Sequence, residues 1–430
     1  NGYWTISRRD HLQSEPFWET LMGPDPKTGD PIPALATKWE HSPDFREWTF
    51  HLRKGVQFHR GYGEFTSADV VHNHGLMIRK DSTATLRPFW ATVEEVKPVD
   101  KHTVVFRFKG PALPSSMIFG ASRSGDLRMS SKAQWDKEGI EGLDKQPVGT
   151  GPFEYAGRQT GLNILFKRND KHWSKNKVDF QELEFRIARE EATRLALLLS
   201  GDVHIADLPR ELHKEALSKG LKRFQSSLAV DWISAYLGGL YFISGDKQFD
   251  PKAPFVNKKV RQALNMAINR KELMNTVFAG RAEPAFISLW VPDSEGWNPK
   301  WESRFNELYA FNPEKAKQLL KEAGYGPGQL KFEIWAFTEP GESEGPAIAD
   351  ALAIYFRNVG VNAHVQMQDS SKIPTTFRKK VAHNIMWPNI IGWRPSDTGV
   401  RNFYYSKGNN HHFENDFLEK TFDEVSKSTD

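Results

Sequence analysis

The chain has no cysteine in its 430 residues. That absence excludes a disulfide scaffold, thiol catalysis and cysteine-ligated zinc together. It suits an exported bacterial protein, although cytosolic proteins share the trait. Long apolar runs are missing too. The stretch Leu195–Leu199 falls far short of the roughly 18–20 residues that cross a bilayer. The first residues, Asn1-Gly2-Tyr3-Trp4, carry neither the basic nor the apolar part of a signal peptide. Charge is balanced, with 58 basic against 54 acidic residues for a net +4. The clearest basic cluster, Arg378-Lys379-Lys380, is no stripe for nucleic acid, which is not an expected partner. Catalytic signatures are also lacking, with no Gly-x-Ser-x-Gly elbow, Walker loop or His-Glu-x-x-His helix.

What is present reads as a soluble α/β protein of two or three domains, with 39% hydrophobic and 26% charged residues. Trp48, Phe50 and Leu52 alternate with polar neighbours, as do Val104, Phe106 and Phe108, and both runs predict strands. Between them, Thr66-Ser67-Ala68-Asp69 predicts a capped helix running to about Arg79. A strand over Leu183–Ile187 precedes a helix, Glu190–Ser200, closed by Gly201. Later, Val260, Leu264, Ala267, Ile268 and Val277 recur near helical spacing up to Gly280. Asn312-Pro313 opens a helix ending at Gly324. Strands at Leu330–Ala336 and Val361–Met367 flank a helix over Ile348–Val359, an order that implies a crossover in a mostly parallel sheet.

The most informative segment is Pro147-Val148-Gly149-Thr150-Gly151-Pro152-Phe153. It is followed by Glu154-Tyr155 and then Arg168-Asn169-Asp170-Lys171-His172-Trp173. The glycines permit backbone angles closed to other residues while the prolines fix theirs, so a rigid corner feeding a strand is expected. This wording resembles the signature of the family 5 extracellular solute-binding proteins of ABC importers. That family includes periplasmic dipeptide-, oligopeptide- and nickel-binding proteins. Trp39–Asp44, Trp48–Val56 with Phe58-His59, Thr66, Asp69 and Val70, and Thr193–Ala206 match the same family.

The resemblance implies an α/β, two-lobed periplasmic-binding-protein-like fold of type II (cluster C), with an extra β-rich subdomain in lobe one. Mapped here, lobe one would be 1–23 with 147–245, the inserted β-rich subdomain 24–146, and lobe two 246–430. A return segment of lobe one and the first strand would be missing from residues 1–430. The implied function is capture of a small solute between the lobes and delivery to ABC transporter permease subunits. Such a protein is a monomer and no enzyme, needs no cofactor, and works in the periplasm or lipid-anchored on the outer face of a Gram-positive membrane. A solute sensor of the same fold, or a carbohydrate-active enzyme (a glycoside hydrolase) using carboxylates such as Glu190-Glu191 or Glu342/Glu344, are the alternatives.

Three zones are candidate ligand contacts. In Ile390-Ile391-Gly392-Trp393-Arg394-Pro395-Ser396-Asp397, an apolar strand end opens into a glycine, an aromatic plate, a cation and a carboxylate. That mix suits a partly dry cleft for a polar solute, although a strand leaving the core through a solvated loop would read the same way. In peptide-binding relatives this position holds an Asp that pairs with the ligand's α-amine. Here Ser396 stands in its place and Asp397 one residue later. Either Asp397 substitutes or the ligand differs, an opine-like conjugate, an oligosaccharide or a nickel chelate being the alternatives to a peptide. Ser14 and Glu15, before Phe17-Trp18-Glu19-Thr20-Leu21, resemble the loop that lines the family's cleft; Phe17 and Trp18 also suit helix packing. Trp232 and Tyr236 are either contacts or strand core. His72-Asn73-His74 has no joint ligand geometry on a helix, and His411-His412 is expected in a surface loop, so no metal is expected.

Overall fold

Alternation builds the first sheet. In a computed structural model, Ala36–His41 (β3), Glu47–Leu52 (β4), Val93–Asp100 (β5) and Thr103–Phe108 (β6) form an antiparallel sheet in the order β3-β4-β6-β5. Two short strands precede it, Met22–Pro24 (β1) and Pro31–Pro33 (β2). The structure describes residues 13–25, 31–82, 87–112, 127–174, 178–225, 231–288, 290, 296–337, 344–369, 372–392, 400–401, 403–408 and 410–425. Two units emerge, residues 1–187 with 423–430, and residues 188–422.

In the first unit, Trp48 pairs with Phe106 and Phe50 with Val104 across β4 and β6, so one face collects the large apolar side chains. Trp48, Phe50, Val104, Phe106 and Phe108 are each buried to within 2% of complete. Burial of each such side chain contributes about 1.5–3 kcal/mol. The helix Ser67–Ile78 closes this face with Val70, Leu76 and Met77. At its start the Thr66 N–H donates to Asp69 Oδ2 at 2.9 Å, as the capping box predicts. The other Asp69 oxygen accepts the Lys132 N–H at 2.9 Å, tying in the helix Lys132–Lys145. A second antiparallel sheet, Phe153–Gln159 (β7), Asn163–Arg168 (β8) and Glu182–Arg186 (β9), packs Phe153, Tyr155 and Phe166 against Phe17.

The second unit centres on a four-stranded sheet in the order β10-β14-β12-β13, from Asp231–Leu237 (β10), Lys331–Ala336 (β12), Asn362–Met367 (β13) and Ile385–Gly392 (β14). β12 runs parallel to both β13 and β14, and only β10 is antiparallel, to β14. The helix Gly345–Asn358 links β12 to β13 and buries Ile348, Leu352 and Phe356 against Phe332 and Ile334. Gly360 follows it with φ 84°. Tyr241–Phe242 (β11) and Glu414–Asn415 (β15) form a short parallel pair. Asn312 caps the helix Pro313–Glu322 by accepting the Lys315 N–H at 2.9 Å.

One helical expectation is corrected. The run from Val260 to Val277 is two helices, Lys258–Ala267 and Arg270–Val277. Ile268 leaves helical angles at φ −88° and ψ 116°, and the Asn269 side chain caps the new helix at the Glu272 N–H. Apolar spacing carried no sign of the break; the cap residue did.

Gly238, just after β10, lies against the Ala382 carbonyl, and a Cβ there would come within 1.7 Å of that oxygen. Both partners are backbone, so neither yields by a rotamer change. Gly238→Ala is expected to cost about 3 kcal/mol of stability, read as a lower urea midpoint at unchanged slope. A wild-type midpoint would show that the two segments are not packed this closely.

Candidate functional site

The corner at 147–153 is glycine-rich for a reason other than φ. Neither Gly149 nor Gly151 takes a left-handed angle. Instead a Cβ on Gly149 would lie 1.8 Å from the Phe17 carbonyl oxygen, and one on Gly151 would lie 2.6 Å from that of Pro16. This corrects the sequence expectation. The glycines are needed because two backbones touch, not because the chain turns. The contact is sewn by hydrogen bonds. Gly151 N–H donates to Phe17 O at 3.0 Å, Phe153 N–H to Pro16 O at 3.0 Å, and Trp18 Nε1–H to Val148 O at 3.0 Å.

His59 locks the corner from the other side. Its N–H donates to Gly149 O at 2.9 Å, and its Nε2–H donates to Gly151 O at 2.9 Å. The Gly149 N–H approaches Nδ1 at 3.4 Å. These partners require the neutral ring, and burial pushes its pKa down accordingly. The polar end of β8 completes the fastening. Asn169 Nδ2 donates to Gly151 O at 3.2 Å, while Trp173 Nε1 and His172 Nε2 bond the Glu19 carboxylate at 3.0 and 3.2 Å.

All of this seats residues 14–19. The Ser14 carbonyl accepts the Phe17 and Trp18 N–H groups at 3.2 and 2.9 Å. Phe17 is buried on Tyr155 and Phe166, so its side chain serves packing. Ser14 is buried and Glu15 is exposed. Between them stands Arg128, only 2% exposed, donating from Nη1 to Ser14 Oγ at 2.8 Å and holding Nη2 3.7 Å from Glu15 Oε1. Sequence reasoning did not find Arg128. The signal was there, a lone cation flanked by Leu127 and Met129, which are both fully buried. The His72-Asn73-His74 triplet supports the same strip. Asn73 accepts the Ser130 N–H and hydroxyl at 3.1 and 2.7 Å and donates back to Ser130 O at 2.8 Å. His74 Nε2 bonds the Trp90 carbonyl at 3.1 Å.

In the second unit, Trp232 and Tyr236 lie on β10, opposite Ile391 and Trp387 of β14, and Asp231 faces Gly392. Trp232 and Tyr236 are each 4% exposed. Tyr236 stacks on Phe403 and on His412, with centroids 5.5 and 3.5 Å away. Ile391 and Gly392 thus share the β10–β14 end with Trp232, whereas Trp393, Arg394, Ser396 and Asp397 lie outside the described residues. Ser14 and Glu15 belong to the first unit and the others to the second.

His411 and His412 are not a surface loop. They are 9% and 2% exposed, a correction with a clear cause. His411 Nδ1 pairs with Glu414, which is fully buried and also receives Lys380 Nζ at 2.5 Å. Lys380 bonds Asp246 at 2.7 Å as well. Burial alone would push Glu414 up, but the bonds from His411 and Lys380 hold its carboxyl below the ordinary value. Neighbouring Tyr241 is pushed up to about 12 by burial. Of the carboxylates considered for glycoside hydrolysis, Glu344 accepts from Arg210 Nε at 2.7 Å. Glu191 sits in the first turn of the helix Glu191–Ser200, 3.9 Å from Arg194. Among the described residues, no group of three or more His, Asp or Glu side chains is placed to hold a metal ion.

The family model described as "Bacterial extracellular solute-binding proteins, family 5 Middle" matches residues 30–412, and the chain belongs to this family. It is similar to Di/tripeptide-binding protein 1 of Pseudomonas aeruginosa (strain UCBPP-PA14), 28% identical over 84% of this chain and 67% of that protein. It is also similar to the dipeptide-binding protein of Escherichia coli (strain K12), 27% identical over 91% of this chain and 72% of the relative. A di/tripeptide-binding protein 3 from the same Pseudomonas strain is spanned over 63% of its length, so the chain covers about two thirds of these relatives. Among solved structures, AgaA of A. tumefaciens R10 in complex with agropinic acid superposes with a TM-score of 0.75 at 23% identity, over 99% of this chain and 82% of that one. DppA of Helicobacter pylori in complex with the peptide STSA gives 0.76 at 20%, over 99% and 84%. The fold is that of the two-lobed, mixed α/β periplasmic binding proteins.

Burial pushes the His412 imidazole well below its ordinary pKa, and His411 acts in the same direction. Among the described residues neither ring nitrogen has a hydrogen-bond partner. In the unfolded chain the ring titrates near ~6.5, so below that pH the unfolded state takes up a proton that the native state refuses. The stability is present above about 6.5 and is lost as pH falls, by about 1.4 kcal/mol per pH unit from this one ring. His412→Phe is expected to flatten the slope of unfolding free energy between pH 6.5 and 5 by that amount. Equal slopes in urea titrations of the two proteins would mean the native ring accepts the proton.

Proposed function

We propose that the chain is the substrate-binding component of an ABC importer, capturing a small solute of the peptide or peptide-like class and delivering it to permease subunits in the membrane. The observation that carries this reading is the family match across residues 30–412. The seating of Ser14 and Glu15 beside buried Arg128 supports it, because polar groups held rigidly before a ligand arrives lose little entropy when it binds. In this reading Ser14, Glu15, Trp232, Tyr236, Ile391, Gly392, Trp393, Arg394, Ser396 and Asp397 form or support the contacts. The dipeptide and di/tripeptide relatives favour a peptide, and the agropinic acid complex keeps an opine-like conjugate beside it. Ser396 is the dividing residue: a ligand with a free α-amine needs the carboxylate of Asp397, whereas an opine does not.

The lobes would be 1–23 with 147–245 and 246–430, with 24–146 as the inserted β-rich subdomain. The site of action is outside the cytoplasmic membrane, in the periplasm or anchored to its outer face, and the working form is a monomer. No described helix is long and apolar enough to cross a membrane. Catalysis has no place in this function, since transport energy comes from the importer's ATPase.

Closure of two lobes over the ligand is limited by the ligand's differential affinity for the closed state. Small-angle scattering is expected to give a smaller radius of gyration once a tight-binding peptide or opine saturates the protein. An unchanged radius at proven saturation would remove closure from the account.

A further inference from the structure

We propose that the second unit carries a carboxylate-binding site built on Arg281 with Arg210 beside it, so that the captured solute presents an acidic group to this unit. The inference rests on the solute-binding reading above. After the helix Arg270–Val277 the chain turns through Ala279 at φ 50° and Gly280 at φ 71°. The Gly280 N–H donates to Met274 O at 3.0 Å and the Arg281 N–H to Phe278 O at 2.9 Å, which fixes the base of the Arg281 side chain. Its Nη1 then donates to His213 Nδ1 at 2.7 Å. His213, on the helix Arg210–Ser218, donates from Nε2 to Leu208 O at 3.0 Å, so its ring is the neutral tautomer that accepts at Nδ1.

A guanidinium held by a neutral imidazole keeps its whole charge. Among the described residues Arg281 forms no ion pair and uses its side chain in no other hydrogen bond. Two more guanidiniums act on the same place. Burial first, then the charges of Arg210 and Arg223, disfavour the charged form of Arg281. The carboxylate that acts on Arg281, Glu344, already accepts from Arg210 Nε at 2.7 Å. Arg210 is further fixed with its guanidinium 5.2 Å from the Phe278 ring centroid. Like charges that share one counter-charge are relieved by a second anion. The planar fork of Arg281 suits a carboxylate, which takes two parallel hydrogen bonds. A cation already oriented by a turn and an imidazole loses little freedom in making them.

The site is tested without and with a solute. In 15N-labelled protein, the Arg281 Nε–Hε signal, identified by its absence in Arg281→Lys, is expected to shift saturably with acetate and not with chloride at equal ionic strength. Equal responses to both salts, or no response, would overturn the inference. In calorimetry, Ala-Ala is expected to bind about tenfold or more tightly than its C-terminal amide, and Arg281→Gln, at unchanged melting temperature, is expected to abolish the difference. Discrimination that survives Arg281→Gln would overturn the inference and leave the solute-binding reading intact. Because the acetate titration needs no solute, it decides the matter even where neither peptide binds, an outcome that counts against the peptide reading alone.

Discussion

Everything proposed for the first unit depends on two backbones in contact, the 147–153 corner against residues 16–18. Few contacts are less tolerant. Phe17 O lies where a Gly149 Cβ would be, and Pro16 O crowds the same place on Gly151. Once the corner is seated, His59, Asn169, His172 and Trp173 have partners, and each bond satisfies a polar group that is buried, as at His59, or partly buried, as at the other three. Ser14 and Glu15 stand on this seat, and Arg128 reaches them from a strip that Asn73 holds. The segment that marks the family is therefore a fastener, and its conspicuous glycines and aromatics touch the neighbouring chain segment.

The second unit solves a different problem, which is how to keep charge buried. Lys380 is shared between Asp246 and Glu414, and His411 covers the other Glu414 oxygen. The pairing joins the turn after β11, the turn after the helix Lys372–Arg378 and the strand β15. Removal of Lys380 would leave two largely buried carboxylates without their shared cation, so the three segments are specified together. Arg281 stands in contrast. Its only side-chain hydrogen-bond partner among the described residues is a neutral ring, and Glu344, the carboxylate that acts on it, is already bonded to Arg210.

Much of this was legible in the residues. Alternation placed Trp48, Phe50, Phe106 and Phe108 on one face, and Thr66 with Asp69 marked the start of the helix they pack on. Asn312, Gly201 and Gly360 marked helix ends because caps are local chemistry. What stayed hidden was non-local. The reason for Gly149 lies at Phe17, the partner of Arg128 lies at Ser14, and the burial of His412 follows from Tyr236 on a distant strand. Spacing within a segment cannot report a partner more than a hundred residues away. The break at Ile268 was a lesser miss, since Asn269 announced it to a reader weighing caps above apolar period.

The account turns on whether the protein holds a small solute, and native mass spectrometry of gently purified protein asks this most directly. The predicted result is one bound small molecule per chain, released on denaturation and carrying at least one carboxylate. A peptide ladder would assign the amine anchor to Asp397, and a single opine-like mass would assign Ser396 to a changed ligand class. A protein that carries nothing, and that no peptide, opine or other small acid stabilises against heat, would contradict the central claim.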